Sequence, residues 1–507
     1  MGNSPYIAHI HILDDDSLLL IFYLYRPFLL GEDEDENARL IGGKGNWDCG
    51  RWWYGLAHVC QRWRKVILGS ASYLGLSLVC TYGTPVADML AHSPHLPLII
   101  DYIYGGHDTE DDEGTRLALR QRDCVHRVRL RTPVISLQKL FGAMDEEYPI
   151  LEYLIIVPLE KDRTSILILP ETLQAPNLRH LTLIGFALPI GSRLLTTAVG
   201  LVTFCLVMHH PSTYFHPNAL LHWLSFMPQL ETLVIFFFLP VPNREIERQL
   251  MRSPIITPVT LPNLHRFGFR GISAYLEALV RWITTPHLEK LEIEFFNQLT
   301  FSIPRLVQFS NTIENFRFDS ARFWFKDMRV YVEVYPSREA QMKAFIISVF
   351  CWHLDWQVSS AAQISNSLSQ LFSAVEHLTL EQEVHSLSSD EHNEVDRTEW
   401  RKLLRPFGNA KTLWIGNGLV EQLFRCLELE DGELPLELLP ELQELSYSSS
   451  GDTGDTLTSF INARQNAGRP MTVTVITDPD DPAHVSHAQG SPSVTSESSE
   501  TGSNHDT

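Results

Sequence analysis

A short apolar phrase recurs along the middle of the chain and constrains its fold more than any other feature. In each copy the positions i, i+3 and i+5 are hydrophobic, and a proline often stands two residues before the first of them. The clearest copies occupy residues 176–183, 228–235, 262–269, 286–293 and 440–447. Weaker copies begin at Val125, Leu151, Leu201, Ile313, Val375 and Ala410. The alternating last pair of each copy predicts a short β-strand with one buried face.

Between the copies, the apolar residues change to a helical spacing. Ala219, Leu220, Trp223 and Leu224, for example, precede the copy at 228–235. A helix and a strand therefore alternate, and successive copies begin mostly twenty-odd residues apart. This period is typical of leucine-rich repeats, whose units bury their apolar faces only by stacking on one another. The pattern predicts an α/β fold, an irregular leucine-rich-repeat solenoid of alternating helices and parallel strands.

Two features depart from a regular array. The asparagine that standard repeats carry after the last leucine is absent from most copies, and Phe186 stands there after the copy that begins at Leu178. The long gap between Ile313 and Val375 predicts one degenerate copy near residues 345–349. An ordinary α/β domain, in which the Pro-x-Leu phrases only start strands, stays open as an alternative.

The composition of the chain divides it into three parts. Residues 81–477 are assigned to the repeat domain, which is predicted to close with a capped helix from about 455 and a strand at 471–476. Residues 478–507 are rich in Asp, Ser, Thr and Gly and almost free of apolar side chains. Such a segment cannot offset the entropy of ordering, so we expect a disordered acidic tail. Residues 1–80 form a separate helical module.

This N-terminal module contains two amphipathic segments. The first, 12–22, has three aspartates near its start, which favour a helix N-terminus. The second, 52–67, places apolar residues at i, i+3, i+4 and i+7. An acidic and glycine-rich insertion at about 26–50 separates the two segments, and we expect it to be a solvated loop. Both helices have more apolar surface than such short segments can bury alone.

The two segments resemble the F-box. That family begins its first helix with Leu-Pro, continues with a Leu-x-x-Val-Cys-(Lys/Gln)-Arg-Trp-Arg phrase, and follows it with a short Leu-x-Leu strand. The matching stretches here are 13–22 (LDDDSLLLIF), 56–64 (LAHVCQRWR) and 74–78 (LGLSL). Asp14 stands where the family has proline, and the insertion exceeds the family's usual link. F-box receptors, including fungal ones, commonly have leucine-rich repeats directly after the F-box.

The resemblance implies a substrate-recognition adaptor of a Skp/cullin/F-box ubiquitin ligase. Its helices would dock the Skp-type adaptor and through it the cullin/RING ligase, and its solenoid would bind an unknown protein substrate. The residues expected on the adaptor-binding face are Leu13, Leu18, Ile21, Phe22, Leu56, Val59, Cys60, Trp63, Arg64 and Ile67. Arg62 is available for acidic neighbours. Leu56, Val59 and Trp63 could instead belong to the internal core of the module, and the chain could instead be a ligase-independent leucine-rich-repeat scaffold.

Composition argues against several other classes of function. Lys and Arg number 40 against 61 Asp and Glu, a formal net charge of −21, so the field of the chain repels nucleic acid. The 7 cysteines are scattered without a Cys-x-x-Cys pair, which is typical of reduced thiols. We find neither a secretory signal nor an apolar run long enough to cross a membrane. These features predict a cytoplasmic and/or nuclear protein without a membrane partner.

No motif in the sequence predicts catalysis, a metal or a cofactor. The glycine-rich stretch 42–45 lacks the spacing and the hydroxyl of a phosphate-binding loop. The histidine pairs at positions 9 and 11 and at 209 and 210 have no further ligands at zinc-binding spacing. The polar stretch 389–392 contains Ser, Asp and His but no nucleophile elbow. We therefore expect a protein that is not an enzyme.

Overall fold

A computed structural model gives the structure of most of the chain. It describes residues 13–26, 50–92, 95–104, 112–159, 166–189, 191–210, 213–238, 258–298, 300–313, 316, 318–336, 345–383, 395–416, 418–428, 436–448 and 454–476. Several predicted features lie outside the described residues: almost all of the insertion, the 478–507 tail, and the stretches 9–11, 42–45 and 389–392.

The helices begin and end as follows. They are α1 Asp15–Tyr25, α2 Trp52–Ala57, α3 Gln61–Gly69, α4 Ala71–Leu74, α5 Val86–His92, α6 Asp112–Leu119, α7 Val134–Phe141, α8 Arg193–Thr197, α9 Pro217–Leu224, α10 Ser273–Val280, α11 Pro304–Asn311, α12 Leu354–Ser367, α13 Ser369–Phe372, α14 Arg397–Leu404, α15 Val420–Leu427 and α16 Gly454–Asn466.

The strands alternate with these helices along most of the chain. They are β1 Leu78–Thr81, β2 Leu98–Ile103, β3 Val125–Thr132, β4 Tyr153–Pro158, β5 Leu167–Ile168, β6 His180–Ile184, β7 Phe186–Ala187, β8 Thr203–Met208, β9 Thr232–Phe237, β10 Val259–Thr260, β11 Arg266–Gly271, β12 Ile283–Thr284, β13 Lys290–Phe296, β14 Ser320–Lys326, β15 Arg329–Tyr335, β16 Phe345–Phe350, β17 His377–Gln382, β18 Thr412–Ile415, β19 Glu444–Ser448 and β20 Thr472–Ile476.

One long sheet organises the repeat domain. Its 16 strands follow the order β1, β2, β3, β4, β6, β8, β9, β11, β13, β16, β15, β14, β17, β18, β19, β20. Neighbouring strands are parallel from β1 to β13 and again from β17 to β20. Sequential parallel strands with intervening helices give the α/β leucine-rich-repeat-like architecture that the sequence pattern predicts.

The repeated apolar phrase forms the core between the sheet and the helices. Its i+3 residues align from strand to strand, in the series Val128, Leu154, Leu181, Phe204, Leu233, Phe267 and Leu291. These residues are all buried in one continuous cluster with helix residues such as Leu220 and Leu276. Full burial of a side chain of this size contributes about 1.5–3 kcal/mol. Stacking of repeats therefore supplies the core that a single repeat lacks.

A three-stranded meander interrupts the parallel order. β16 lies parallel to β13, and its Phe345 aligns with Leu291, which confirms the degenerate copy predicted near 345–349. β15, however, is antiparallel to both β14 and β16. The prediction of parallel strands throughout is therefore wrong at this point, because a tight hairpin between β14 and β15 returns the chain along the sheet instead of crossing over through a helix.

The weak copy predicted at Ile313 is also misplaced. Ile313 is buried, but the strand begins only at Ser320, and Ala321 and Phe323 align with Leu378 and Leu380 of β17. The i, i+3 and i+5 spacing is satisfied from Ile313 and also in the register that contains Ala321 and Phe323. The apolar pattern alone therefore does not fix the register of this strand. At the end of the array, α16 and β20 confirm the predicted helix and closing strand.

Candidate functional site

The first helix of the module is capped by the residue that departs from the F-box pattern. The Asp14 carboxylate accepts a hydrogen bond from the Ser17 backbone N–H at 2.7 Å. This bond lowers the pKa of the Asp14 carboxyl. The first backbone N–H groups of a helix have no partner within the helix, and this bond satisfies one of them. An aspartate here therefore starts α1 effectively, in the place where the family uses proline.

The two helices of the module are joined by an aromatic contact and an arginine. Phe22 of α1 is buried and meets Trp63 of α3 edge-to-face, with ring centroids 5.0 Å apart. Arg62 donates to the Leu13 carbonyl at 2.6 Å and pairs with Asp15 at 2.7 Å. The two segments therefore form one packed unit, although the insertion separates them in sequence.

The residues predicted for adaptor binding divide into three groups by exposure. Ile21, Val59, Cys60 and Arg64 are exposed, whereas Leu13, Leu56 and Trp63 are half-buried. Leu18, Phe22 and Ile67 are buried almost completely. These last three form the internal core of the module, so their assignment to an exposed docking face is corrected: their side chains already contact the chain itself.

The sequence reasoning missed the most exposed apolar residues of α1. Leu20 is 53% exposed and Leu24 is 68% exposed, on the side of the helix opposite Leu18 and Phe22. The adjacent Tyr23 and Tyr25 are exposed as well. The 3.6-residue period would have found them, because Leu20 and Leu24 are four residues apart, as are the inward-facing Leu18 and Phe22. We call the exposed α1 residues Leu20, Ile21, Leu24 and Tyr25 the apolar docking face.

The same module closes the first edge of the sheet. The Trp53 indole N–H donates to the Ser77 carbonyl at 3.1 Å, and the Val79 N–H donates to the Tyr54 hydroxyl at 3.1 Å. Arg51 also donates to the hydroxyl of Thr81 at 2.6 Å. Burial raises the pKa of the Tyr54 phenol, so it remains a neutral partner for β1. The module therefore has one face on the solenoid and another exposed.

The side of the sheet that faces away from the helices carries a second apolar cluster. Its buried members lie on β4, β6, β8 and β9, and they are Val157, Ile184, Cys205, Val207 and Val234. Ile155, Phe236 and Phe238 pack against them and are half-buried. Burial raises the pKa of the Cys205 thiol to about 12, so it behaves as a small apolar side chain. We call this side of the sheet the open face.

Farther along the open face, cations stack on aromatic rings. The Arg270 guanidinium lies 4.3 Å from the ring centre of Phe238. Lys326 Nζ lies 3.5 Å from the Trp324 ring centre and 3.1 Å from a carboxylate oxygen of Glu383. Arg, Trp and Tyr carry much of the binding energy at protein interfaces. This half of the open face therefore has the composition of a protein-binding surface.

An exposed tryptophan extends this surface beyond β16. Trp352 is 60% exposed and meets Phe350 edge-to-face, with ring centroids 5.8 Å apart. The intervening Cys351 N–H donates to the Met328 carbonyl at 3.0 Å, which brings the exposed turn of the β14–β15 hairpin to the same place. The turn of the hairpin that breaks the repeat order thus lies next to Trp352, and both Trp352 and Met328 of this turn are exposed.

Within the described residues, we find no candidate metal site, no disulfide and no candidate membrane span. No cluster of His, Cys, Asp and Glu in these ranges could hold a metal ion. The cysteines in the described residues form no disulfide with one another. No helix in the described part of the chain is long and apolar enough to span a bilayer.

Comparisons with known proteins give a likeness to solved structures only. No protein-family model matches the sequence, and neither does any curated protein. The crystal structure of the leucine-rich repeat-containing protein LegL7 from Legionella pneumophila is similar, with 11% sequence identity and a TM-score of 0.26. The alignment covers 72% of this chain and 96% of that chain. A TM-score of this size does not establish a common fold, so the repeat architecture rests on the strand order and register described above.

Proposed function

We propose that this chain is a substrate-recognition adaptor of a Skp/cullin/F-box ubiquitin ligase. The apolar docking face would bind the Skp-type adaptor, and the open face of the sheet would hold a target protein. Catalysis would reside in other subunits of the ligase. The F-box resemblance of residues 13–22 and 56–64 supplies the identity of the first partner.

The observation that carries the proposal is an apolar helix face left exposed beside a closed core. Leu18, Phe22 and Ile67 fill the interior of the module, yet Leu20 and Leu24 on α1 stay exposed. Adjacent exposed apolar side chains on a small module mark a protein interaction site. An amphipathic helix with such a face is suited to docking in a groove of another protein.

Affinity purification of the full chain tests this proposal. The tagged wild-type chain should recover a Skp-type adaptor and a cullin, and the double variant Leu20→Glu/Leu24→Glu should lose both. The matched control is Ile135→Glu on α7, which places the same charge on another exposed apolar position, 64% exposed. Recovery of the adaptor by the double variant as well as by the wild type would refute the proposal.

A second candidate is a ligase-independent scaffold in which the module only caps the solenoid. The contacts from Trp53 and Tyr54 to the edge of β1 favour it, because they give the module a structural role of its own. On this alternative, deletion of residues 1–80 unfolds the array, and the intact chain recovers no Skp-type adaptor. The affinity purification therefore distinguishes the two candidates.

A further inference from the structure

The two edges of the long sheet differ in how their backbone groups are satisfied. At the first edge, the Leu78 N–H bonds to the Pro97 carbonyl, so Ser77, Val79 and Thr81 direct their backbone groups away from β2. Trp53 and Tyr54 bond to Ser77 and Val79, as described above. The Thr81 N–H donates to the Thr84 hydroxyl at 3.0 Å, and the Thr84 N–H donates back to the Thr81 carbonyl at 3.1 Å. Side chains and a turn thus close this edge.

The last edge is open in the described part of the chain. The Thr472 N–H bonds to the Gln443 carbonyl, so alternate residues Val473 and Val475 direct their N–H and C=O groups outward. No described residue bonds to these outward groups. The side chains of Val475 and Ile476 are also exposed, by 50% and 44%. An uncharged, exposed edge strand is a template for pairing with another strand.

We propose that β20 pairs antiparallel with β20 of a second copy of this chain, about a twofold axis at Thr474. In this register Val473 of each copy lies opposite Val475 of the other, and each such pair exchanges two N–H···O bonds. Thr474 lies opposite its own counterpart on the open face. The long sheet then continues from one copy into the next.

The composition of the strand favours a second copy as the occupant. The segment 472–476 reads Thr-Val-Thr-Val-Ile and carries no charge, so twofold pairing places no like charges opposite each other. Thr474 aligns with Ser446 and Val475 with Tyr447, so threonines meet on the open face and valines on the core side. The strand is therefore complementary to itself.

The closed first edge limits the assembly to a dimer. Head-to-tail stacking of β20 on β1 would extend the sheet into a filament, but Trp53, Tyr54 and Thr84 already bond to outward groups of Ser77, Val79 and Thr81 along this edge. A twofold contact between two open edges leaves no further edge to pair. This dimer is independent of the adaptor-binding proposal, because the two surfaces lie at opposite ends of the sheet.

Sedimentation velocity of the full chain over a concentration series tests the proposal. The wild type should form a species of twice the monomer mass. Val475→Pro removes one outward N–H and no bond to β19, so it should raise the dissociation constant about tenfold or more. The matched control Val475→Thr keeps the N–H and should still dimerise.

A charge exchange at Thr474 keeps the test independent of folding. Thr474→Lys and Thr474→Glu should each be monomeric alone, because like charges meet on the twofold axis, and should form a dimer when mixed. A wild type that stays monomeric at every concentration would overturn the proposal, as would a mixture that does not associate. Pairing of this edge with a segment of another protein, with no self-association, would overturn it too.

Discussion

Arg464 provides the sharpest test of how the array ends. Its side chain is completely buried, and its guanidinium donates to the carbonyls of Leu439, Pro440 and Leu442 at 3.0, 3.2 and 2.8 Å. Leu439 has a positive φ of 50°, unusual for a residue other than glycine. One arginine thus holds the turn before β19 to α16. We expect Arg464→Met to destabilise this last unit.

The size of the effect follows from the bonds lost. All three carbonyls lose the arginine, but the Leu439 carbonyl keeps a second donor, the Leu442 N–H at 3.1 Å. Among the described residues, only the carbonyls of Pro440 and Leu442 are then left without a hydrogen-bond partner. A buried polar group without a partner costs about 1–3 kcal/mol, which gives about 3 kcal/mol for the pair. Methionine retains much of the apolar stem. Because stacked repeats contact only their neighbours, the loss should be confined to the C-terminal repeats.

Hydrogen exchange followed by mass spectrometry measures this local stability. Peptides covering α16, β19 and β20 should exchange about a hundredfold faster in Arg464→Met, while those from β4 to β9 should be unchanged. The control is Arg469→Met, which removes an exposed ion pair with Glu441 at 2.9 Å and should cost less than about 1 kcal/mol. Equal exchange in the two variants, or in Arg464→Met and the wild type, would refute the role assigned to Arg464.

Three further predictions concern the sheet. Tyr54→Phe removes the hydroxyl that accepts a hydrogen bond from the Val79 N–H. The local stability of β1 should fall by about 1–3 kcal/mol, so its amides should exchange faster, and unchanged exchange would contradict the capping role. Burial and the nearby Arg179 and Arg127 lower the pKa of His180 to about 4 from 6.5. Between pH 4 and 6.5, His180 therefore binds a proton in the unfolded chain but not in the folded chain. The free energy of unfolding should fall by up to about 3 kcal/mol as the pH drops from 6.5 to 4. His180→Phe should keep the stack on Tyr153 and flatten that slope in urea titrations. Alkylation should label the exposed Cys60 well before the buried Cys205, whose pKa is raised to about 12, and equal labelling would contradict the described packing.

The repeat architecture was predictable because its signal is local and repeated. Each copy places apolar residues at i, i+3 and i+5, and aligned residues such as Leu181 and Phe204 are buried as expected. The meander was not predictable in the same way. Strand direction depends on a hairpin at 327–328, and the spacing around Ile313 fits two registers equally well.

The candidate docking face was predictable only in part. The segments and their helical character follow from capping and periodicity, but which side of α1 turns inward depends on Trp63 and Ile67, which come from the far side of a long insertion. Leu18 and Phe22 are therefore core, whereas Leu20 and Leu24 are exposed. The contacts of Trp53 and Tyr54 with β1 had no sequence signal, because they are side-chain bonds to a backbone edge.

Calorimetric titration of the purified full chain with a purified Skp-type adaptor tests the central claim most directly. The exposed face of α1 predicts a one-to-one complex with a dissociation constant of about 1 μM or tighter, weakened about tenfold or more by Leu20→Glu/Leu24→Glu. Ile135→Glu should bind as the wild type does. A folded wild-type chain that shows no binding at about 100 μM adaptor would contradict the claim that this face docks such an adaptor.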